Sequence, residues 1–282
     1  MNIKNITPLF GAVIENISFD EMIKISKEKW KQILYDRNII VIKDIDLSEE
    51  EFVKFSYKLG APWGHKHYEL HGERMESNGI VDWNDQSGLY KKSICWHRDN
   101  SWSKWRHPVR ILYSIQIPDE NSGILFYLDL RYIFNNLLSK EKQNWLNDHF
   151  VVVQNYRNKT QKFYYPLVET NPVTGQKSLF ITAMDVDSNV FGLKKDKTYK
   201  KGNTFLLKVI HKSGKELSLN YLVEYIEETM KIKECFFYQK WKPNMIQIMS
   251  NLDTAHMRTE ISNHPKTRLL WRKTIAHDFQ IL

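Results

Sequence analysis

Cysteine is nearly absent from this sequence. Its 282 residues include two, Cys95 and Cys235, which are isolated and belong to no CxxC pair. A disulfide framework needs several cysteines, and the common zinc modules need closely spaced pairs. The cysteine content therefore excludes a disulfide-stapled scaffold and gives no indication of a zinc site.

Long apolar runs are absent as well. No stretch approaches the roughly 20 apolar residues that a membrane-spanning helix requires. The N-terminal residues also lack the short apolar core of a secretory signal peptide. We therefore expect a cytoplasmic protein without a membrane partner.

Acidic residues are outnumbered, with 33 against 41 lysines and arginines, so the formal net charge is +8 and the pI about 9.2. A basic protein of this kind can bind nucleic acid through its phosphates. The lysines are scattered, however, and the densest cluster, at residues 194–201, has the composition of a surface loop. Since no nucleic-acid recognition motif is present, we expect a solvated lysine-rich surface and no nucleic-acid partner.

Apolar and aromatic residues are plentiful, at 42% and 13% of the chain, which is enough for a folded core. β-Branched segments at 38–42 and 108–117 predict strands, and Ser48 followed by Glu51 predicts a capped helix. No repeat or linker divides the chain, so we expect one domain over residues 1–282. The pattern favours an α+β fold with many short strands, either a jelly roll (double-stranded β-helix) with inserted helices or another α+β sandwich.

Further helices are predicted over 20–35, over 138–148 with Trp145 facing inward, over 203–212 and over 218–230. Residues 61–92 are instead rich in glycine, polar and aromatic residues. Long loops in compact domains tend to be lids or binding loops, and we expect that role here.

The chemistry of the chain is concentrated at Trp96-His97-Arg98-Asp99. His97 and Asp99 are two residues apart, so in an extended segment both side chains leave the same face, and Arg98 between them is expected to face solvent. A distant histidine, His256, would complete a 2-His-1-carboxylate set, which binds iron(II) and leaves other positions open. A hydrogen-bonded His–Asp pair without metal remains an alternative.

A second feature is the strand that follows His256 and carries Arg268 and Arg272. Four residues apart, the two guanidinium groups point to one face, with Leu270 between them. Each offers a planar fork that suits a carboxylate or another oxyanion, and structural salt bridges are the alternative explanation.

These features together resemble the taurine dioxygenase/TfdA-like family of iron(II)- and 2-oxoglutarate-dependent oxygenases. The resemblance rests on three ordered motifs: W-H-x-D at residues 96–99, a hairpin motif at residues 171–180, and His256 followed by Arg268. It implies a jelly roll rather than another sandwich. It also implies a small-molecule substrate and leaves open whether the protein forms a homo-oligomer.

The resemblance assigns roles to individual residues. It implies that His97, Asp99 and His256 bind the metal, that Arg268 holds 2-oxoglutarate, and that substrate contacts come from Arg272, His65 and Tyr68. No catalytic residue is implied outside the metal site. One departure concerns the threonine with which the family contacts 2-oxoglutarate, since this chain has Ile124 or Leu125 there, depending on alignment.

The activity implied by the resemblance requires Fe(II), 2-oxoglutarate and O2. We expect hydroxylation of an unactivated C–H bond in a small anionic or zwitterionic substrate, a sulfonate, carboxylic acid or amino acid, with release of succinate and CO2. Desaturation or isonitrile-type tailoring with the same cofactors is a first alternative. A catalytically silent jelly roll used for binding is a second, from another functional class. Halogenation is disfavoured because Asp99 occupies the position that a halide would need.

Overall fold

The structure is a computed structural model that describes residues 2–60, 81–84, 94–101, 107–154, 160–182, 206–217, 232–262, 264, 266 and 268–275. The strands are β1 (Asn2–Asn5), β2 (Ala12–Glu15), β3 (Ile39–Ile42), β4 (Val81–Asn84), β5 (Ile94–His97), β6 (Val109–Gln116), β7 (Leu125–Asp129), β8 (His149–Gln154), β9 (Lys162–Pro166), β10 (Val168–Thr170), β11 (Lys177–Leu179), β12 (Leu206–His211), β13 (Glu216–Leu217), β14 (Phe236–Gln239), β15 (Ile246–Ser250), β16 (Thr254–Arg258) and β17 (Leu269–Ile275). The helices are α1 (Phe19–Lys24), α2 (Lys27–Arg37), α3 (Glu49–Tyr57), α4 (Leu130–Tyr132) and α5 (Lys140–Asn147), with a π-helical turn at Ile133–Leu137 and a 3-10 turn at Lys233–Cys235.

The strands build a mixed α+β fold in which antiparallel sheets dominate. The largest sheet has the order β1-β2-β3-β15-β6-β17-β4, and a four-stranded sheet has the order β14-β7-β16-β5. A second four-stranded sheet, β13-β12-β8-β9, and the hairpin β10-β11 complete the described sheets. Strands β2 and β3 run parallel, with α1 and α2 between them in the chain, and the other described pairings are antiparallel.

The large sheet is apolar on both faces, and β3 explains why. Its sequence Ile-Ile-Val-Ile is fully buried. Because side chains alternate along a strand, Ile40 and Ile42 pack against the helical layer, whereas Ile39 and Val41 face the interior between the sheets. The prediction of a buried strand at 38–42 is confirmed.

Helices α1, α2 and α3 cover the outer face of this sheet. Helix α3 has the predicted capping box at Ser48 and Glu51. The helix predicted at 20–35 is two helices, since Ile25 is extended and Ser26 caps the second one. None of the helices in the described part of the chain combines the length and apolar character needed to cross a bilayer.

One helix prediction is wrong, and another lies outside the described residues. The helix predicted at 203–212 is wrong: Leu206–His211 forms β12, antiparallel to β8. Exposed Lys208 beside buried Val209 shows the alternation of a strand, which β-branched residues favour. The helix predicted at 218–230 falls outside the described ranges.

The inward orientation predicted for Trp145 is wrong. Gln143 and Leu146 are the residues of α5 that face the core, since they lie three apart on one side of the helix. Trp145 is 39% exposed and its ring lies against His149, with the ring centroids 4.3 Å apart.

The solvent-facing position predicted for Arg98 is also wrong, because the side chain is only 3% exposed. The alternation of side chains does turn Arg98 away from His97 and Asp99, but the β10–β11 hairpin covers the side to which it points. Arg98 Nη1 donates to Glu169 Oε2 at 2.9 Å, and Nη2 donates to Ser178 Oγ at 2.9 Å and to the carbonyl of Leu179. Its guanidinium also lies over the ring of Phe180. This buried arginine joins the HxD segment to the hairpin.

Arg98→Met is expected to destabilise the fold by about 3–5 kcal/mol, because it removes a buried guanidinium and leaves the largely buried Glu169 carboxylate without this ion pair. The double variant Arg98→Met/Glu169→Gln should recover a substantial part of that loss. Urea unfolding of the three proteins measures both effects. A single variant within about 1 kcal/mol of the wild type would show that this ion pair contributes little.

A second buried charge lies at the start of α4. Asp129 caps the helix by accepting a hydrogen bond from the Tyr132 amide at 2.8 Å, and its other oxygen lies 3.6 Å from Arg131. Burial raises the pKa of Asp129 to about 6, although both contacts oppose that shift. The fold therefore favours the protonated carboxyl.

Stability is accordingly expected to depend on pH through Asp129. A carboxyl whose pKa is higher in the folded state stabilises the fold below its unfolded value, near 3.8, and this contribution is lost as pH rises through about 6. Asp129→Asn keeps the oxygen that caps the helix. Its free energy of unfolding, relative to that of the wild type, should rise by roughly 1–2 kcal/mol between pH 5 and pH 7.5. Urea unfolding at both pH values tests this, with exposed Asp36→Asn as the control. The same difference in unfolding free energy between wild type and Asp129→Asn at both pH values would contradict this prediction.

Candidate metal centre and its pocket

The candidate metal centre depends on strand β16, which lies between β5 and β7. In the register of these pairs His256 is directly opposite His97 on one side and Tyr127 on the other. Cross-strand neighbours in an antiparallel pair share a face of the sheet, so the two imidazoles meet, and their ring centroids are 4.3 Å apart.

Asp99 lies just beyond the end of β5 and brings its carboxylate to the same point. Its Oδ1 is 3.8 Å from His97 Nε2 and 3.9 Å from His256 Nε2. Ligand atoms of the three side chains all lie within 4.8 Å of one another. The structure thus brings together the three residues that the sequence singles out.

The protonation states suit metal binding. Burial, together with the neighbouring His97, lowers the pKa of His256 to about 3, so its imidazole is neutral at physiological pH. Burial alone would raise the pKa of Asp99, but the Arg110 guanidinium and the two histidines hold it well below the usual range. Metal ions bind neutral imidazole and ionised carboxylate.

Asp99 is held from both its side chain and its backbone. Arg110 Nε donates to Asp99 Oδ2 at 2.7 Å, and Arg110 Nη1 donates to Thr274 Oγ1 at 2.5 Å. The Asn251 side chain accepts from the Asp99 amide at 2.9 Å and donates to the Asp99 carbonyl at 3.1 Å and the His107 carbonyl at 2.8 Å. One carboxylate oxygen therefore binds arginine while the other faces the histidines.

The three residues open into a cavity between the large sheet and the β14-β7-β16-β5 sheet. It is lined by Ile94, His97, Asp99, Arg110, Leu112, Leu125, Tyr127, Gln247, Met249, His256, Arg258, Arg268 and Leu270. Three arginines, one carboxylate and several apolar side chains make this a pocket suited to a small anion with a hydrocarbon body.

Arg268 lies in this pocket and is 5% exposed. Its guanidinium packs against Gly123: a Cβ at that position would lie 3.3 Å from Arg268 Nε. Gly123 also has φ +63°, a conformation that glycine adopts readily. Close packing therefore holds the Arg268 guanidinium in place.

Ile124 and Leu125, the two candidates for the family's threonine position, differ in where their side chains lie. Leu125 lines the cavity, whereas Ile124 packs against the apolar cluster on the opposite face. Neither side chain has a hydroxyl, so the hydrogen bond that the family makes with threonine has no equivalent at this position.

Of the three predicted substrate residues, only Arg272 lies in the described part of the chain. Arg272 lies in β17 on the face of Leu270, as period two predicts, but it is not among the described residues that line the cavity. His65 and Tyr68 lie outside the described ranges. Their assignment stays a prediction.

Sequence reasoning missed three functional candidates: Arg110, Asn251 and Arg258. Arg110 belongs to a predicted strand that carried no recognised motif, and Asn251 contacts Asp99 from 152 positions away in sequence. Arg258 could have been found, because it follows His256 by two residues and period two places both on one face.

The side chains present fit a ferrous ion. Two imidazoles, on the paired strands β5 and β16, and one ionised carboxylate just beyond β5 form the facial donor set associated with non-haem iron(II). The remaining cavity wall contains arginines and apolar groups, which leaves the other side of such an ion accessible to a small anionic ligand.

The whole chain is similar to known dioxygenases. A family model described as "Taurine catabolism dioxygenase TauD, TfdA family" matches residues 2–274. A proposed alpha-ketoglutarate-dependent sulfonate dioxygenase of Schizosaccharomyces pombe is 23% identical over 292 residues, and the alignment covers 93% of this chain. This chain spans 66% of the length of that relative.

Solved structures share the fold. A taurine dioxygenase from Burkholderia xenovorans superposes with a TM-score of 0.69 at 18% identity, over 99% of this chain and 94% of that one. AAD-2, solved in complex with Mn(II) and N-oxalylglycine, superposes with a TM-score of 0.67 at 16% identity, over 98% and 96%. At these identities the similarity establishes the fold alone.

Asn251→Ala is expected to lower the affinity for Mn(II) roughly 10- to 100-fold, because the Asp99 backbone loses its two hydrogen bonds to this amide. Calorimetric titration of the purified protein measures the affinity. Gln143→Ala is the matched control, since this buried amide donates to the Leu138 carbonyl in α5, away from the cavity. Unchanged Mn(II) affinity in a folded Asn251→Ala protein would contradict the positioning role.

Proposed function

This chain belongs to the taurine catabolism dioxygenase TauD, TfdA family, whose members depend on iron(II) and 2-oxoglutarate, and we propose that it hydroxylates an unactivated C–H bond of a small anionic or zwitterionic substrate. The substrate would be a sulfonate, carboxylic acid or amino acid. The observation that carries the proposal is the convergence of His97, Asp99 and His256 in a cavity that also contains Arg268. The cavity between two antiparallel sheets further supports a double-stranded β-helix as the fold.

His97, Asp99 and His256 would hold iron(II). Bound iron(II), with 2-oxoglutarate and O2, supplies the oxidising power that converts a substrate C–H bond into C–OH while 2-oxoglutarate becomes succinate and CO2. Asp99 would contribute the one negative charge among these three ligands. Arg110 keeps Asp99 ionised and oriented through the bond at 2.7 Å.

Arg268 would bind the far carboxylate of 2-oxoglutarate. A guanidinium binds a carboxylate through two parallel hydrogen bonds, and burial in a water-poor pocket strengthens that contact. N-oxalylglycine, the ligand of the AAD-2 structure, has the same two terminal carboxylates as 2-oxoglutarate. Leu112, Leu125 and Leu270 would enclose the hydrocarbon chain of the co-substrate and exclude water from it.

Arg272, His65 and Tyr68 are proposed to bind the anionic group of the primary substrate. The support for Arg272 is its place on the same face of β17 as Leu270, one step beyond the cavity lining. His65 and Tyr68 are supported by the family resemblance alone. A cationic site of this kind favours substrates with a sulfonate or carboxylate.

The proposed activity predicts oxygen consumption and succinate formation that require both iron(II) and 2-oxoglutarate. A screen of sulfonates, amino acids and small carboxylic acids by oxygen uptake should identify a substrate that accelerates both. The product mass then separates hydroxylation, which adds one oxygen atom, from desaturation, which removes two hydrogens.

Asp99→Ala should reduce succinate formation to the level without enzyme, because the metal loses its one anionic ligand. Glu49→Ala, a change at an exposed residue of α3, is the control and should retain wild-type turnover. Turnover by Asp99→Ala at the wild-type rate would exclude the proposed metal site. Lack of turnover by the wild type with every substrate, together with lack of 2-oxoglutarate binding, would favour a catalytically silent binding protein.

A further inference from the structure

Arg258 is a buried arginine for which the proposed function has no role so far. It is 4% exposed, it lines the cavity, and it lies two residues after His256 on β16. Alternate residues of a strand share a face and lie roughly 6–7 Å apart. The Arg258 side chain therefore enters the same cavity as His256, one step further from the metal ligands.

The β7–β16 pairing shows which side of the cavity Arg258 occupies. Arg258 is directly opposite Leu125 in the register of the two strands. The pairing continues past the strand ends, because Thr259 donates its amide to the Ile124 carbonyl at 3.0 Å and Gly123 donates its amide to the Glu260 carbonyl at 3.0 Å. Arg258 is thus beside Leu125 on the cavity face.

Arg268 reaches the same part of the wall from β17. Its guanidinium packs against Gly123, which is two residues before Leu125. Gly123 lies just before β7 and Leu125 begins that strand, so Arg268 and Arg258 pack beside positions that are two residues apart in the chain. Leu125, directly opposite Arg258, is apolar.

The cationic part of the cavity wall suits an anionic ligand. Arg258 and Arg268 each present several N–H donors, which can bind a carboxylate in addition to the partners that both arginines have within the protein. A carboxylate has two oxygens and can accept hydrogen bonds from both arginines.

We propose that Arg258 is a second binding residue for the far carboxylate of 2-oxoglutarate, acting with Arg268 in place of the hydroxyl that Leu125 lacks. The inference rests on the proposed function, because it assigns the second contact of the same co-substrate. When a five-carbon 2-keto diacid chelates a metal at His256, its far carboxylate lies about one strand step away, which is where Arg258 enters the cavity.

The test compares two keto acids that differ at the far end. 2-Oxoglutarate has the far carboxylate, and 2-oxobutanoate has only the metal-chelating end. Calorimetry with Mn(II)-loaded protein gives both affinities without turnover. Arg258→Gln should weaken 2-oxoglutarate roughly 10- to 100-fold and leave 2-oxobutanoate unchanged, because a charge-assisted hydrogen bond is lost at one end only.

Three further variants sharpen the comparison. Arg258→Lys keeps the charge and loses the planar fork, so an intermediate loss is expected, and it carries the test if Arg258→Gln does not fold. Adding Leu125→Thr to Arg258→Gln should restore part of the 2-oxoglutarate affinity. Arg37→Gln is the matched control, since Arg37 binds the carbonyls of Thr7, Pro8 and Gly11 at the protein surface, and it should change neither affinity.

The outcomes separate this inference from the proposed function. If Arg258→Gln keeps its preference for 2-oxoglutarate while Arg268→Gln loses it, the assignment of Arg258 is overturned and the proposed function stands. If Arg258→Gln weakens both keto acids equally, its role is structural and the assignment is again overturned. If the wild type binds neither keto acid in the presence of Mn(II), the proposed function itself fails.

Discussion

The site depends on the register in which β16 pairs with β5. His256 is opposite His97, and a shift of one residue would turn His256 to the other face of the sheet. The pairing of β16 with β7 on its other side holds this register. Asn251, three residues before β16 begins, binds the backbone of Asp99 just after β5 ends. The two ligand segments are therefore joined by a strand pair and by a side-chain clamp.

Electrostatics divides the cavity into two ends. At one end burial keeps His256 neutral, and Arg110 keeps Asp99 ionised, which together make a donor set for a divalent cation. We propose that Arg258 and Arg268 form the other, cationic end, and apolar side chains also line the cavity. A keto diacid matches this arrangement, since it can chelate a metal at one end and meet cations at the other.

The chemistry-bearing residues could be read from the sequence, because they lie in short motifs with regular spacing. Period two explains the common face of His97 and Asp99, and it explains why Arg268, Leu270 and the cavity belong together. The resemblance to the family connected these motifs to the distant His256. Local spacing alone could not do so, since the pairing of β16 with β5 is a long-range contact.

The predictions that the structure contradicts fail for one physical reason: contacts with distant parts of the chain override the local sequence pattern. The alternation of side chains along an extended segment turns Arg98 away from the metal ligands and so predicts a solvent-facing side chain. The β10–β11 hairpin, however, covers that face and supplies Glu169 as the partner of Arg98. A helix is predicted at 203–212, yet pairing with β8 makes residues 206–211 a strand. The roles of Arg110 and Asn251 arise from contacts between separate strands that no local pattern contains.

We propose that His97, Asp99 and His256 hold one metal ion beside a pocket for 2-oxoglutarate. A crystal structure of the protein grown without oxygen in the presence of Fe(II) and 2-oxoglutarate would show this arrangement. We predict one metal ion bound by these three side chains, with the far carboxylate of 2-oxoglutarate on Arg268. A metal ion bound elsewhere, or a diacid whose far carboxylate lies away from Arg268, would contradict it.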